Sequence, residues 1–178
     1  MQSLEIKRNV IEHIIYEIET EFDKTSTINA LKNINFQQDF MVTTFKNKDD
    51  IFSLPEFIDL KNHLMKYFEI FTTNVLKKEN FKVIDSWIQA YSLADYHPLH
   101  VHEIQTERTY SCVFYIQSSA NSSDTRFYAP GWPYTWSPEI IVNPKESKLV
   151  LFHGSTPHLV SPNNDDQRIV LSCNFECY

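Results

Sequence analysis

Glycine is nearly missing from this chain of 178 residues, which has only Gly131 and Gly154. A GxGxxG fingerprint needs three glycines and a P-loop needs two set close together ahead of a lysine, so the backbone loops that cradle phosphates in common nucleotide enzymes are excluded. Asn and Asp must therefore make most of the turns. Cysteine is scarce too. Cys112, Cys173 and Cys177 are odd in number, form no CxxC and lie in apolar strand-like runs, which indicates buried free thiols rather than a disulfide framework. Positive charge is in deficit, with 16 Lys and Arg against 23 Asp and Glu and a formal net charge of -7. No basic stripe is available to neutralise phosphates, so no nucleic-acid partner is expected. Long apolar runs are lacking as well, and none approaches the ~20 residues that span a bilayer. The first eight residues are mixed and charged, without an apolar segment behind a basic start, so no secretory signal is expected and a cytoplasmic location is.

The composition that remains, 42% hydrophobic and 22% charged, suits a globular chain able to bury a real core as one domain over 1–178. Residues 4–22 place Ile6, Val10, Ile14, Ile18 and Phe22 four apart, with Ile11 and Ile15 beside them. That stripe predicts an amphipathic helix. A shorter helix is expected over 27–34, and a β-branched and aromatic run predicts a strand over 40–45. A further helix is expected to begin with Ser53 as cap and Pro55 in its first turn, carrying Phe57, Leu60, Leu64, Phe68, Phe71 and Val75 on one side and ending near Lys77 and Lys78. His13 and His63 lie alone on these helices.

After residue 80 the character changes to short strand-like runs over 81–91, 99–103, 110–117, 125–128, 139–142, 148–152, 158–160 and 168–175, separated by turn-rich stretches such as 121–124 and 162–166. Such spacing argues for a jelly-roll or barrel. Helices first and strands later give an α+β fold, with 1–80 as helical support and 81–178 as the jelly-roll core.

The chemistry-bearing residues sit in that second part. It holds five of the seven histidines: His97, His100, His102, His153 and His158. On a strand, side chains two apart share a face, so both imidazoles of His100-Val101-His102 can reach one ion. His158, between two apolar runs, is the natural third ligand. Neutral imidazoles suit iron, zinc, copper or nickel, whereas calcium and magnesium prefer oxygen. The plain alternative for the triplet is one histidine in the core and one at the surface. Ten residues past His158, Arg168 opens a run in which Arg168, Val170, Ser172 and Asn174 share one face, and a buried arginine there needs an anion. Its alternative is a surface ion pair with Asp165 or Asp166. The aromatic segment 127–136 reads equally as a lid over a substrate or as a flap packed on the sheet.

Together, the segments Ser86-Trp87-Ile88-Gln89-Ala90-Tyr91, Asp95-Tyr96-His97-Pro98-Leu99-His100-Val101-His102, Ser111-Cys112-Val113-Phe114-Tyr115-Ile116, Leu149 to Phe152, His158 to Pro162 and Arg168 to Phe175 resemble the Fe(II)- and 2-oxoglutarate-dependent oxygenase family found in marine phages and bacteria. The resemblance covers about half of the chain, in order. It implies a double-stranded β-helix (a cupin-like jelly-roll) and iron held by His100, His102 and His158. It also implies 2-oxoglutarate paired through its far carboxylate with Arg168, with Tyr115 and Ser172 as its nearest hydroxyl partners; Asn174, on the same strand face as Arg168, is expected to join that set. The implied reaction is hydroxylation of a small-molecule or peptidyl substrate by O2, with succinate and CO2 released; a homodimer is compatible with the sequence. Two positions depart from the pattern. The wider superfamily usually has Asp or Glu where His102 stands, completing a 2-His-1-carboxylate triad, and Glu103 is the neighbouring carboxylate if the strand bulges. Ser147 replaces a glycine turn. The competing functions are a three-histidine cupin-type dioxygenase that needs no 2-oxoglutarate, and a non-catalytic jelly-roll that binds a sugar or a protein.

Overall fold

A computed structural model describes residues 13–34, 36–38, 42–44, 50–102, 106–129, 132–133 and 139–178. Its strands are β1 (Ile15–Glu19), β2 (Gln37–Gln38), β3 (Val42–Thr43), β4 (Phe81–Tyr91), β5 (His97–His100), β6 (Thr109–Gln117), β7 (Thr125–Phe127), β8 (Ile140–Val142), β9 (Lys148–His153), β10 (His158–Val160) and β11 (Arg168–Cys177). They form a seven-stranded sheet in the order β1-β9-β6-β11-β4-β3-β2 and a four-stranded sheet in the order β5-β10-β7-β8. Every pairing is antiparallel. This is the double-stranded β-helix of the α+β reading.

The central strands read as nearly continuous apolar runs because the larger sheet is covered on both faces. Ile88, Cys112, Phe114, Leu149, Leu151, Leu171, Cys173 and Phe175 point to one side. There they meet α2 (Ile58–Ile70), whose Leu60, Leu64 and Phe68 are fully buried at helical spacing, with Phe57 and Phe71 at its two ends. The alternate residues Tyr91, Val113, Tyr115, Val150, Phe152 and Val170 point the other way, into a second core shared with Phe127 and Val160 of the smaller sheet. The site lies in that second core, between the sheets. All three cysteines are buried free thiols. Among the described residues no helix is long and apolar enough to cross a membrane.

Five expectations need correction. Residues 15–19 are a strand rather than helix, because five residues of β1 find partners along the edge of β9. Residues 4–12 of that prediction lie outside the described residues, as do 40–41 and 45 of the strand expected at 40–45. The strands β1, β2 and β3 also mean that residues before 81 complete the larger sheet as well as bracing it. The short helix expected at 27–34 is α1 (Thr25–Leu31). Ser53 does not cap α2: Asp50 caps a 3-10 turn at Ile51–Ser53, Pro55 opens another at Pro55–Phe57, and α2 follows without a side-chain cap. Val75 is exposed because the helix widens to a π-turn at Phe71–Val75, with Leu76 N donating to Phe71 O at 3.0 Å. More residues per turn rotate Val75 away and bring Leu76 to the core instead.

Candidate active site

Sheet register brings the first two histidines together. His158 of β10 is paired directly opposite His100 of β5, and directly opposed residues in an antiparallel pair project to the same face. Their ring centroids are 4.2 Å apart. His102 lies just past the end of β5, where its backbone N donates to Gly154 O at 3.1 Å. A side chain at Gly154 would crowd Thr109 O, 3.3 Å from the added carbon, so glycine lets residue 154 lie close against β6, where its N donates to Thr109 O at 3.0 Å. The His102 ring, set between Trp87 and Phe152, has its centroid 5.0 Å from that of His158. One ligand atom from each of His100, His102 and His158 lies within 4.8 Å of the others.

Hydrogen bonds fix the tautomers. His100 Nδ1 donates to Pro98 O at 2.8 Å, His158 Nδ1 to Thr156 O at 2.9 Å and His102 Nδ1 to Asn174 Oδ1 at 2.6 Å. Each partner is a carbonyl oxygen that only accepts, so each Nδ1 carries the proton and each Nε2 keeps its lone pair. Ser111 Oγ, donating to the same Asn174 oxygen at 2.7 Å, holds that amide in place. Such outer partners orient a metal ligand and raise its basicity. Asn174→Ala is expected to lower metal affinity by about 10-fold or more while leaving co-substrate affinity of the loaded protein near wild type, checked by titrating each in turn.

Burial keeps the rings uncharged. Desolvation lowers His102 to about 4, against the Asn174 hydrogen bond and with help from His100. His158 is held well below the usual value by burial and then by its two histidine neighbours, and burial lowers His100. Between pH 6.5 and about 4 the unfolded chain binds a proton that folded His102 does not, so unfolding free energy falls as pH drops through that window. Above 6.5 this group contributes no slope. The loss is about 3 kcal/mol for His102 alone. The metal-free protein is therefore expected to need less urea to unfold at pH 5 than at pH 7, and His102→Phe to flatten part of that slope; equal midpoints at the two pH values would contradict this.

The other end of the same cavity is cationic. Arg168 is 1% exposed and points inward with Val170 and Ser172, as the strand alternation predicts. Its Nη2 donates to Thr125 Oγ1 at 2.8 Å, and that hydroxyl is also 2.8 Å from Tyr115 Oη. Its Cζ lies 4.4 Å from the Tyr91 ring centroid and 5.4 Å from that of Tyr115. Burial pushes the Tyr91 phenol up to about 12, against the pull of Arg168, so Tyr91 supplies no counter-charge. Nε and Nη1 of Arg168 are buried and without a hydrogen-bond partner. Asp165 and Asp166 are engaged elsewhere, by Ser119 and Ser122 and by Leu93 N, which removes the surface ion pair as an explanation. A buried guanidinium with two idle donors fits a carboxylate.

The cavity joining the two ends is narrow and is lined by His97, His100, His102, His158, Arg168 and Ser172, among others. Ser172 Oγ donates to Gln89 Oε1 at 3.0 Å on its wall. Asn174 sits behind His102, with its carbonyl occupied there, rather than beside Arg168. Thr125, Gln89 and Tyr91 were not singled out in the sequence. Gln89, a polar residue alternating with Trp87 and Tyr91 on a buried strand, carried a readable signal; Thr125 carried none. His63 packs among Phe22, Tyr67 and Phe114 and bonds Thr20 at 3.0 Å, away from the cavity. His13 lies in a separate surface cleft with Tyr16, Tyr110 and His153. Glu103 lies outside the described residues. In the aromatic segment, residues 130–131 and 134–136 do as well; the described part is packed, with Tyr128 N donating to Pro157 O at 2.8 Å and the Tyr128 ring 4.3 Å from that of Trp132. Ser147 occupies a left-handed turn at φ 62°, where glycine fits with least strain.

No protein-family profile and no curated protein matches the chain. Solved structures do. A Pseudomonas putida prolyl-4-hydroxylase matches with a TM-score of 0.62 and 16% identity over 92% of each chain. HygX from Streptomyces hygroscopicus, with nickel, 2-oxoglutarate and hygromycin B bound, gives a TM-score of 0.67 at 11% identity, covering 92% of this chain and 83% of that one. A prolyl hydroxylase from Trichoplax adhaerens, in complex with a hypoxia-inducible-factor peptide fragment, gives 0.66 at 12% identity over 91% and 83%. The fold is that of the 2-oxoglutarate- and Fe(II)-dependent oxygenases.

Proposed function

We propose that this chain is an Fe(II)- and 2-oxoglutarate-dependent dioxygenase that hydroxylates a small-molecule or peptidyl substrate and releases succinate and CO2. The observation that carries the reading is the pairing, in one cavity, of three imidazoles with Nε2 lone pairs and a buried guanidinium with two idle donors. Three neutral ligands leave a divalent ion its full charge, and Arg168 adds another, so the cavity favours a dianion that can reach both ends. 2-Oxoglutarate is such a molecule.

In this reading His100, His102 and His158 hold the iron, and Asn174 and Ser111 orient His102. Bound iron with 2-oxoglutarate and O2 supplies the oxidising chemistry. Arg168 holds the far carboxylate, with Thr125 and Tyr115 fixing the guanidinium and Ser172 lining the path between. The rings of Tyr91 and Tyr115 exclude water from that contact, which strengthens it. HygX with hygromycin B bound and the Trichoplax prolyl hydroxylase in complex with a peptide fragment support a ligand of either type for this fold.

The three-histidine ligand set also favours a second reading, a cupin-type dioxygenase that needs no 2-oxoglutarate; the idle donors of Arg168 weigh against it. The test is turnover of labelled 2-oxoglutarate with Fe(II) and air, without added substrate. Slow release of labelled succinate supports the first reading. Iron uptake with 2-oxoglutarate untouched by either binding or turnover supports the second.

A further inference from the structure

A bulge in β5 aims a fourth histidine into the cavity. His158 pairs with His100 and Val160 with His97, so the interval of two residues on β10 is matched by three on β5. In a regular strand, residues three apart face opposite ways; the extra residue lets His97 and His100 both line the cavity. Their rings stack with centroids 3.8 Å apart at 27°. Gln89 Oε1 accepts from Ser172, so Gln89 Nε2 is the donor to His97 Nδ1 at 3.3 Å. His97 therefore carries its proton on Nε2, the reverse of the three ligand histidines, and is not a fourth ligand.

Each of the other two ligand rings is held by a residue of a regular strand. Phe127 of β7 stacks on His158 at 5.5 Å and 24°, and Trp87 of β4 and Phe152 of β9 enclose His102. His100 is the least buried of the three, and its Nδ1 is tied to Pro98 O, inside the bulge itself. Ligand and anchor would move together. The chain from Ser172 through Gln89 to His97 links this irregular edge to the central strands β11 and β4. We infer that His97 is a positioning residue that fixes the plane of His100, an inference that rests on the metal centre proposed above.

The test is titration of the metal-free protein with Co(II), whose ligand-field absorption reports ligand geometry, alongside the metal-free melting temperature. His97→Ala is expected to bind Co(II) on the order of 10-fold more weakly with a changed band, while melting at the wild-type temperature. His97→Phe, which keeps a flat ring, is expected to restore both affinity and band. Wild-type affinity and band in His97→Ala overturn the inference, and so does equal loss in both variants or a loss matched by a lower melting temperature. Failure of the wild type to take up Co(II) overturns the metal centre itself, which separates the two.

Discussion

Replacing His158 with alanine is expected to abolish iron binding and succinate formation together. His158 is 3% exposed, its Nδ1 is anchored at Thr156 O, and its ring stands between Phe127 and Phe152. Losing a partner behind a ligand costs about 10- to 100-fold in metal affinity, so losing the ligand itself should cost more than 100-fold. No carboxylate among the described residues stands ready to replace it. His158→Leu keeps much of the packing without a lone pair and should behave the same way, which separates ligand loss from a cavity in the core. Metal content after gel filtration and succinate by mass spectrometry check both variants. Retention of either property would remove His158 from the site.

Arg168→Met is expected to separate stability from function. The wild-type guanidinium is buried with two unpartnered nitrogens, offset by one hydrogen bond to Thr125 and by the faces of Tyr91 and Tyr115. Each idle buried donor costs about 1–3 kcal/mol, and buried charges often give way to apolar side chains of similar volume without loss. The ligand-free variant should therefore unfold at no lower urea concentration than wild type. Its affinity for 2-oxoglutarate should fall by about 2 kcal/mol or more, the scale of a buried charge-assisted contact, or roughly 30-fold. Iron binding should be unchanged. A variant that unfolds early yet keeps its 2-oxoglutarate affinity would mean that Arg168 is a structural residue.

Much of the fold was legible because strands covered on both faces write long apolar runs into the sequence. The 81–91 strand appears as β4 with the same limits, and β6 to β11 lie within about two residues of expectation. The alternation of Arg168, Val170, Ser172 and Asn174 was legible for the same reason. The amphipathic reading of 4–22 failed over β1 because Ile14, Ile18 and Phe22 satisfy a helical stripe while Tyr16 and Ile18 equally satisfy one face of a strand; the open edge of β9 decides between them. Long-range pairing of that kind leaves no local mark. The bulge that turns His97 inward was equally silent, since the pairing of β5 with β10 has to be known first. Asn174 shares a face with Arg168 and is expected at the co-substrate on that ground, but five residues of strand lie between the two, and the near neighbour at its end is His102.

Anaerobic addition of 2-oxoglutarate to the iron-loaded protein reaches both halves of the cavity at once, because tight binding needs the histidines to hold the ion and the guanidinium to receive the far carboxylate. A weak metal-to-ligand absorption band in the visible should rise and saturate at one 2-oxoglutarate per iron, and Arg168→Met should need a much higher 2-oxoglutarate concentration to develop it. Iron fully bound with no such band in the wild type would contradict the proposed pairing of metal centre and anion pocket.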